Sequence, residues 1–431
     1  MRVELAFGKT GLAVDLPAGP QYQVLEARWA HPLDDAGAAI EAALDKPIGY
    51  RGFTEVIAGK RTAAISVCDI TRPAPNRLTL PFVLNRLEAG GLSRENITIL
   101  IATGLHRPAT AAEIDEIVGA EVARKYRVVN HNARERGEHR DLGRTPSGTP
   151  VLIDERYVAA ELHITLGFIE PHLMAGFSGA RKLIAPGLAH QDTIKTLHSP
   201  RFMRDPRAVE GSIEDNPLHQ ELWTISAMAG HDFVLDVVLA RGKKIASVFA
   251  GAPRAAHDAG IAFVRNNMAE RIDAPMDAAI TTCAGYPLDL TFYQAVKGVT
   301  AAQHIVKPGG IILLCAACDE GAGAAEFARM LLESGPAGTF LENLLHQAVT
   351  IDQWQLEKLA LVTQQKQVWF YTPGLPERFH GALWGRSFAT PQEALAALVG
   401  ALPSGARIAV IPEGPYVLAR AGAGTPEPVE V

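Results

Sequence analysis

Apolar and polar positions along the chain follow two alternating rhythms. Residues 1–17 alternate in a period of two around Gly8 and Gly11, which predicts a β-hairpin. Short β-branched runs then recur at Ala63–Cys68, Ile97–Ile101, Val151–Ile153, Ile164–Ile169, Val234–Leu239 and Ile245–Phe249. Amphipathic, helix-favouring stretches such as Pro81–Leu92 and Thr110–Tyr126 lie between them, so strands alternate with helices. A second series begins near Asp273, with strand candidates Ala278–Cys283, Ile311–Cys315, Val368–Tyr371 and Ile408–Ile411 and a helix over Gln294–Val306. The polar stretch Asn266–Asp273 followed by Pro275 reads as a hinge. The expected organisation is an α/β fold of two α/β domains, over residues 1–270 and 275–415, with a loosely held tail over 416–431. No fixed-period repeat is present, which excludes solenoids and propellers.

Composition narrows the partners. At 431 residues, 48% hydrophobic and 20% charged, the chain is long enough for two cores and too apolar to be disordered. Its net charge of −6 argues against nucleic-acid binding, which needs dense Lys and Arg. No run approaches 18 apolar residues, so no membrane-spanning helix is expected. Arg2 and Glu4 interrupt the opening segment, which therefore does not read as a secretory signal. Four cysteines cannot form a disulfide scaffold, and a cytoplasmic protein is the expectation.

Polar residues gather where strands end. Ala63–Cys68 runs into Asp69-Ile70-Thr71-Arg72-Pro73-Ala74-Pro75, where two prolines turn the chain out of the sheet and hold an acid and a base on a stiff loop. Helix capping and a surface ion pair explain these residues as well as chemistry does. Ile97–Ile101 leads into Ala102-Thr103-Gly104-Leu105-His106-Arg107-Pro108, a second strand end of the same profile. The densest segment is Pro171-His172-Leu173-Met174-Ala175-Gly176-Phe177-Ser178-Gly179-Ala180-Arg181-Lys182, continuing to Gly187. Gly176, Gly179 and Gly187 would let backbone amides approach an anion. The segment is neither a Walker A loop nor a serine-hydrolase elbow, so Ser178 is a poor nucleophile candidate. A short helix over Gln191–Leu197 would then project His198 from its end. His172, Lys182 and His198 match no zinc spacing. In the second domain, Gln294 and Lys297 would share a helix face able to clamp a carboxylate, or form an ordinary polar face. Cys315-Ala316-Ala317-Cys318 precedes Asp319 and Glu320, which would raise a thiol pKa, so buried inert cysteines are expected there.

Together the DxTRPxP segment, the PHxxAGFSGxRK run with a histidine sixteen residues beyond its lysine, and Tyr293-Gln294-x-x-Lys297 resemble the nickel-pincer-nucleotide lactate racemase family. The resemblance implies two α/β domains with an interdomain active-site cleft. It implies a pyridinium-3-thioamide-5-thiocarboxylic acid mononucleotide carrying nickel, linked covalently to Lys182, with His198 as the protein's nickel ligand. His106 and His172 match the acid/base pair, and Asp69, Arg72, Tyr293, Gln294, Lys297 and Trp354 match positions near cofactor or substrate. The implied activity is racemisation of a 2-hydroxy acid by hydride transfer through a 2-keto acid, with cofactor maturation enzymes as partners. Two other classes stand beside it: a non-catalytic nucleotide- or hydroxy-acid-binding paralogue, and a zinc-type hydrolase using His106, His172 and His198 as ligands.

Overall fold

The computed structural model describes residues 1–422. The chain forms two compact units, one over Trp29–Asn267 and one that joins residues 1–28 to the chain from Met268 onward. Among the described residues each unit is built on a six-stranded sheet.

In the central unit the strand order is Ile245–Gly251, Phe233–Leu239, Leu162–Phe168, Ala63–Cys68, Ile97–Ala102, Arg127–Asn130. Neighbours run parallel except the first pair. Ala63–Cys68 is buried at every position, as a central parallel strand covered on both faces must be, and this explains its unbroken apolar run. Leu80, Val83, Leu84 and Leu87 of the helix Asn76–Ala89 share a core with Ile65, Val67, Ile99 and Ile164. Register sets Cys68 opposite Ala102 and Val67 opposite Leu166. Three adjacent strands therefore end at one level, and the loops carrying Asp69, His106 and His172 leave the same sheet edge.

The second unit orders its strands Arg386–Ser387, Gln367–Tyr371, Val306–Cys315, Met276–Thr282, Arg407–Ile411, Gln21–Val24, all parallel. Ile280, Leu313, Trp369 and Val410 form its core together with Leu5 and Val14 of the N-terminal hairpin, whose register pairs Arg2 with Asp15.

Several expected boundaries shift. Residues 1–28 were expected in the first domain but belong to the second unit, because Gln21–Val24 is the outer strand beside Arg407–Ile411 and the Gly8 amide donates to Asp289 at 2.7 Å. Of the tail expected over 416–431, Leu418–Ala421 is instead a strand parallel to Ala269–Ile272, and residues 423–431 lie outside the described residues. Thr110–Tyr126 is two helices, Ala111–Val118 and Ala120–Lys125, split at Gly119, whose φ of +89° no continuous helix accepts. The helix expected from Pro81 starts at Asn76, whose side-chain amide donates to the Cys68 carbonyl at 2.9 Å and ties the helix to the strand end. The helix expected over Gln294–Val306 spans Phe292–Ala302, and Val306 already opens the next strand. Val151–Ile153 falls in Pro150–Asp154, which pairs antiparallel with the charged strand His139–Arg144 outside the main sheet. No helix of the described residues is long and apolar enough to cross a membrane. All four cysteines, which lie among the described residues, are free and buried, and burial pushes the Cys315 thiol up to about 12.

Because Leu5 is wholly enclosed in the second unit's core, Leu5→Ala should lower stability by ~2–5 kcal/mol. Urea unfolding measures this, and an unchanged midpoint would mean the hairpin is peripheral.

Candidate active site

The first strand end places Asp69 in a buried position with both carboxylate oxygens used. Oδ1 accepts from the Thr71 hydroxyl at 2.7 Å and Oδ2 faces His106 Nδ1 at 2.7 Å. Burial alone would raise the Asp69 carboxyl, but the hydrogen bond and charge of His106, then Arg72 and Thr71, hold it below its ordinary value. An ionised Asp69 fixes the proton of neutral His106 on Nδ1 and leaves the lone pair on Nε2, the tautomer of a general base. Arg72 donates to the Thr71 hydroxyl at 3.2 Å and is otherwise exposed, which suits a cation that meets an anionic ligand.

His172 leaves the third strand end on a two-strand hairpin, Pro171–His172 against Gly176–Phe177. Its Nδ1 accepts from the amides of Met174 at 3.4 Å and Ala175 at 3.2 Å. Neutral His172 therefore carries its proton on Nε2, opposite to His106. The loop continues through Ser178, whose hydroxyl donates to the Phe168 carbonyl at 2.8 Å and accepts from the Glu170 amide at 2.9 Å, latching the loop to the strand end. The glycines were expected to admit an anion, yet internal packing demands them. A Cβ on Gly176 would lie 2.1 Å from the Ser212 carbonyl oxygen, and one on Gly179 would lie 2.5 Å from Asp236, with φ of +76° and +85° respectively. Lys182 sits on a one-turn 3₁₀ segment, Ala180–Leu183, closed by the Gly187 amide on the Lys182 carbonyl at 3.1 Å.

His198 caps the helix Gln191–Leu197, and its Nδ1 donates to the Ile194 carbonyl at 2.7 Å. Burial pushes its pKa down to about 4, Ile194 opposes this, and the Lys182 cation lowers it further. The ring is thus neutral at ordinary pH, carries its lone pair on Nε2 and lies within the electrostatic reach of Lys182. Those are the properties of a single imidazole metal ligand. Among the described residues no group of three or more His, Cys, Asp or Glu side chains is placed to hold a metal ion, so a three-histidine zinc site is not formed by His106, His172 and His198.

In the second unit Tyr293, Gln294 and Lys297 lie in the first turns of Phe292–Ala302, capped by Thr291. The buried Trp354 donates from its indole to the Tyr293 hydroxyl at 3.3 Å, and Gln294 Oε1 is buried without a partner. The structure thus joins Asp69, Thr71, Arg72 and His106 in one set, Lys182 and His198 in another, and Tyr293 with Trp354 in a third.

A model of the lactate racemase N-terminal domain matches residues 7–211 and one of the lactate racemase C-terminal domain matches residues 272–419. The chain belongs to the lactate racemase family. A lactate racemase of Thermoanaerobacterium thermosaccharolyticum is 33% identical over 97% of this chain and 99% of its own. One from Lactiplantibacillus plantarum is 35% identical over 88% and 90%. The solved lactate racemase apoprotein from T. thermosaccharolyticum superposes with a TM-score of 0.91, covering 97% of this chain and all of its own. A Thermotoga maritima protein, 17% identical with a TM-score of 0.68 over 91% of this chain and all of its own, shares the fold alone.

For this family member, sequence reasoning missed Arg181, Asp236 and His257, which lie fully buried beneath the Lys182 turn. The signal was available: Asp236 is a carboxylate in the middle of Phe233–Leu239, a strand buried at all seven positions.

Burial also holds His139 at about 4 and His219 and His231 at about 3. Such histidines bind fewer protons folded than unfolded between pH 6.5 and 4, so stability should rise with pH across that window and be fully present above it. His231→Asn should flatten the slope by up to one proton, ~1.4 kcal/mol per pH unit. Urea titrations at pH 7, 6 and 5 measure it, and parallel slopes for the two proteins would contradict the assignment.

Proposed function

We propose that this protein racemises or epimerises a lactate-like 2-hydroxy acid, using a nickel-pincer nucleotide linked covalently to Lys182. The observation that carries the reading is the pairing of Lys182 with a neutral His198 whose lone pair is on Nε2, in a chain of this family. The donor chemistry fits: a neutral imidazole such as His198 would supply the one protein ligand to a nickel ion whose other donors come from a group tethered at Lys182. Lys182 and His198 would hold the group, with Asp69 and Arg72 beside it. When bound, it supplies a hydride acceptor, so the α-hydrogen can leave and return with its electron pair through a planar 2-keto acid.

This chain's own residues handle protons and orientation. His106 takes the hydroxyl proton of one enantiomer at Nε2, and the Asp69 carboxylate behind it stabilises the imidazolium that results. His172, on the other histidine-bearing strand end, would take or return the proton of the opposite enantiomer at Nε2 in the tautomer that carries its own proton on Nδ1, which requires the long contacts from the Met174 and Ala175 amides to be given up. Arg72, with its planar fork, suits a substrate carboxylate, and in the other unit Lys297, Tyr293, Gln294 and Trp354 are the residues expected to contact substrate. The partners are a small 2-hydroxy acid and the enzymes that mature the cofactor.

Protein produced with maturation enzymes should erase the optical purity of either lactate enantiomer. His106→Ala and His172→Ala should each lower kcat by about 10²–10⁴-fold. Asp69→Asn, acting through His106, should cost about 10–100-fold. Intact mass should show an adduct on wild type and none on Lys182→Ala; a wild type without that gain overturns tethering.

A further inference from the structure

One buried cation touches both parts of the reactive loop. Arg181 is fully enclosed and its Nη2 donates to the carbonyls of Ala175 at 3.0 Å and Phe177 at 3.2 Å, within the hairpin that carries His172. Along the chain it precedes Lys182, and its own carbonyl accepts the amides of Ile184 and Ala185, which closes the Lys182 turn. Its other bonds go to imidazoles: Nη1 to His257 Nε2, and Nη2 to His219 Nδ1 at 2.8 Å. Accepting at Nε2, His257 holds its proton on Nδ1 and donates it to Asp236 Oδ2 at 3.3 Å. Burial raises the Asp236 carboxyl, and the Ala180 amide and the Arg181 charge oppose that rise. The Asp236 carboxylate also packs against Gly167 and Gly179 so closely that neither position has room for a Cβ.

A buried charge is strongly unfavourable unless it is compensated and hydrogen-bonded. A role in filling space would be served by an apolar side chain. Here the guanidinium is shared between the hairpin and two histidines, and a neutral relay carries its compensation to a carboxylate on the neighbouring strand.

We propose that Arg181 is a positioning residue that locks the His172 hairpin to the Lys182 turn, with His257 and Asp236 as the relay that keeps its charge in the interior. This rests on the roles proposed above for His172 and Lys182. It makes the distance between an acid/base group and the cofactor tether the property of one side chain that touches neither substrate nor cofactor.

The test compares cofactor-loaded wild type, Arg181→Lys, His257→Gln and His257→Leu by intact mass, thermal midpoint, and kcat and KM on enantiopure lactate. Gln can accept from Arg181 and donate to Asp236 as His257 does; Leu can do neither. Arg181→Lys should keep the Lys182 adduct and KM while kcat falls by about 10–100-fold, the loss expected from a misplaced reacting group. His257→Gln should retain kcat within about threefold and His257→Leu should show the larger loss, again at unchanged KM. Should Arg181→Lys fail to fold, the His257 pair decides alone. Unchanged kcat in Arg181→Lys, or equal kcat in the two His257 variants, overturns the proposal. A wild type without adduct or turnover defeats the proposed function instead, so the two failures are distinguishable.

Discussion

The constraint on which the central unit depends is the level ending of three neighbouring parallel strands. Hydrogen bonding between parallel strands fixes register, and register here brings Cys68, Ala102 and the end of Leu162–Phe168 to one edge. Each strand then delivers a polar loop to that edge, so residues distant in sequence meet without any long connection. A register slip in Ile97–Ala102 would move His106 away from Asp69 and turn each side chain of that strand to the opposite face. The chemistry therefore inherits its precision from backbone pairing in a core of Ile and Val rather than from the loops.

A second theme is how little water reaches the polar groups behind that edge. Burial keeps His198 and a set of structural histidines neutral, while a hydrogen bond to the partner holds Asp69 ionised against the same effect. The outcome turns on whether a charged partner is in contact. Asp69 has His106 and Arg72, whereas the ring nitrogens of His231 meet the hydroxyls of Ser226 and Thr165, and the more distant Asp232 charge does not offset its burial. Burial alone pushes buried carboxyls such as Asp236 up and imidazoles down, and the contacts at Asp69 are what reverse it there.

Residues whose chemistry is local were legible in the sequence, and those whose role arises from long-range pairing were not. Strand ends followed by Asp69, His106 and His172 could be read because proline and glycine punctuate them. The place of residues 1–28 could not, since Gln21–Val24 alternates over only four residues and nothing in it names its partner, the strand Arg407–Ile411 far along the chain. Gly176 and Gly179 were visible as necessary, but the packing that demands them was not: the clash they avoid is with Ser212 and Asp236, residues no local pattern places beside them. Arg181 stands inside the motif, yet nothing local marks its role. Its partners His219 and His257 lie 38 and 76 positions away, beyond any sequence window.

The two histidines proposed for proton transfer are held by different means, and thermodynamics restricts how that difference can show. His106 rests on a carboxylate at 2.7 Å, while His172 rests on two amides at 3.2 and 3.4 Å, the long end of hydrogen bonding. The carboxylate accepts from His106 Nδ1, whereas the amides donate to His172 Nδ1, so the two rings are fixed in opposite tautomers. Enantiomers in water have equal free energies, so kcat/KM must be the same in both directions of a racemisation whatever the catalytic groups are. The asymmetry cannot favour one product at equilibrium. It can only shift which enantiomer is held more tightly, moving kcat and KM together for one direction relative to the other. A symmetric reaction thus tolerates an asymmetric protein, and the fold has no need to build the same support twice on two unlike strand ends.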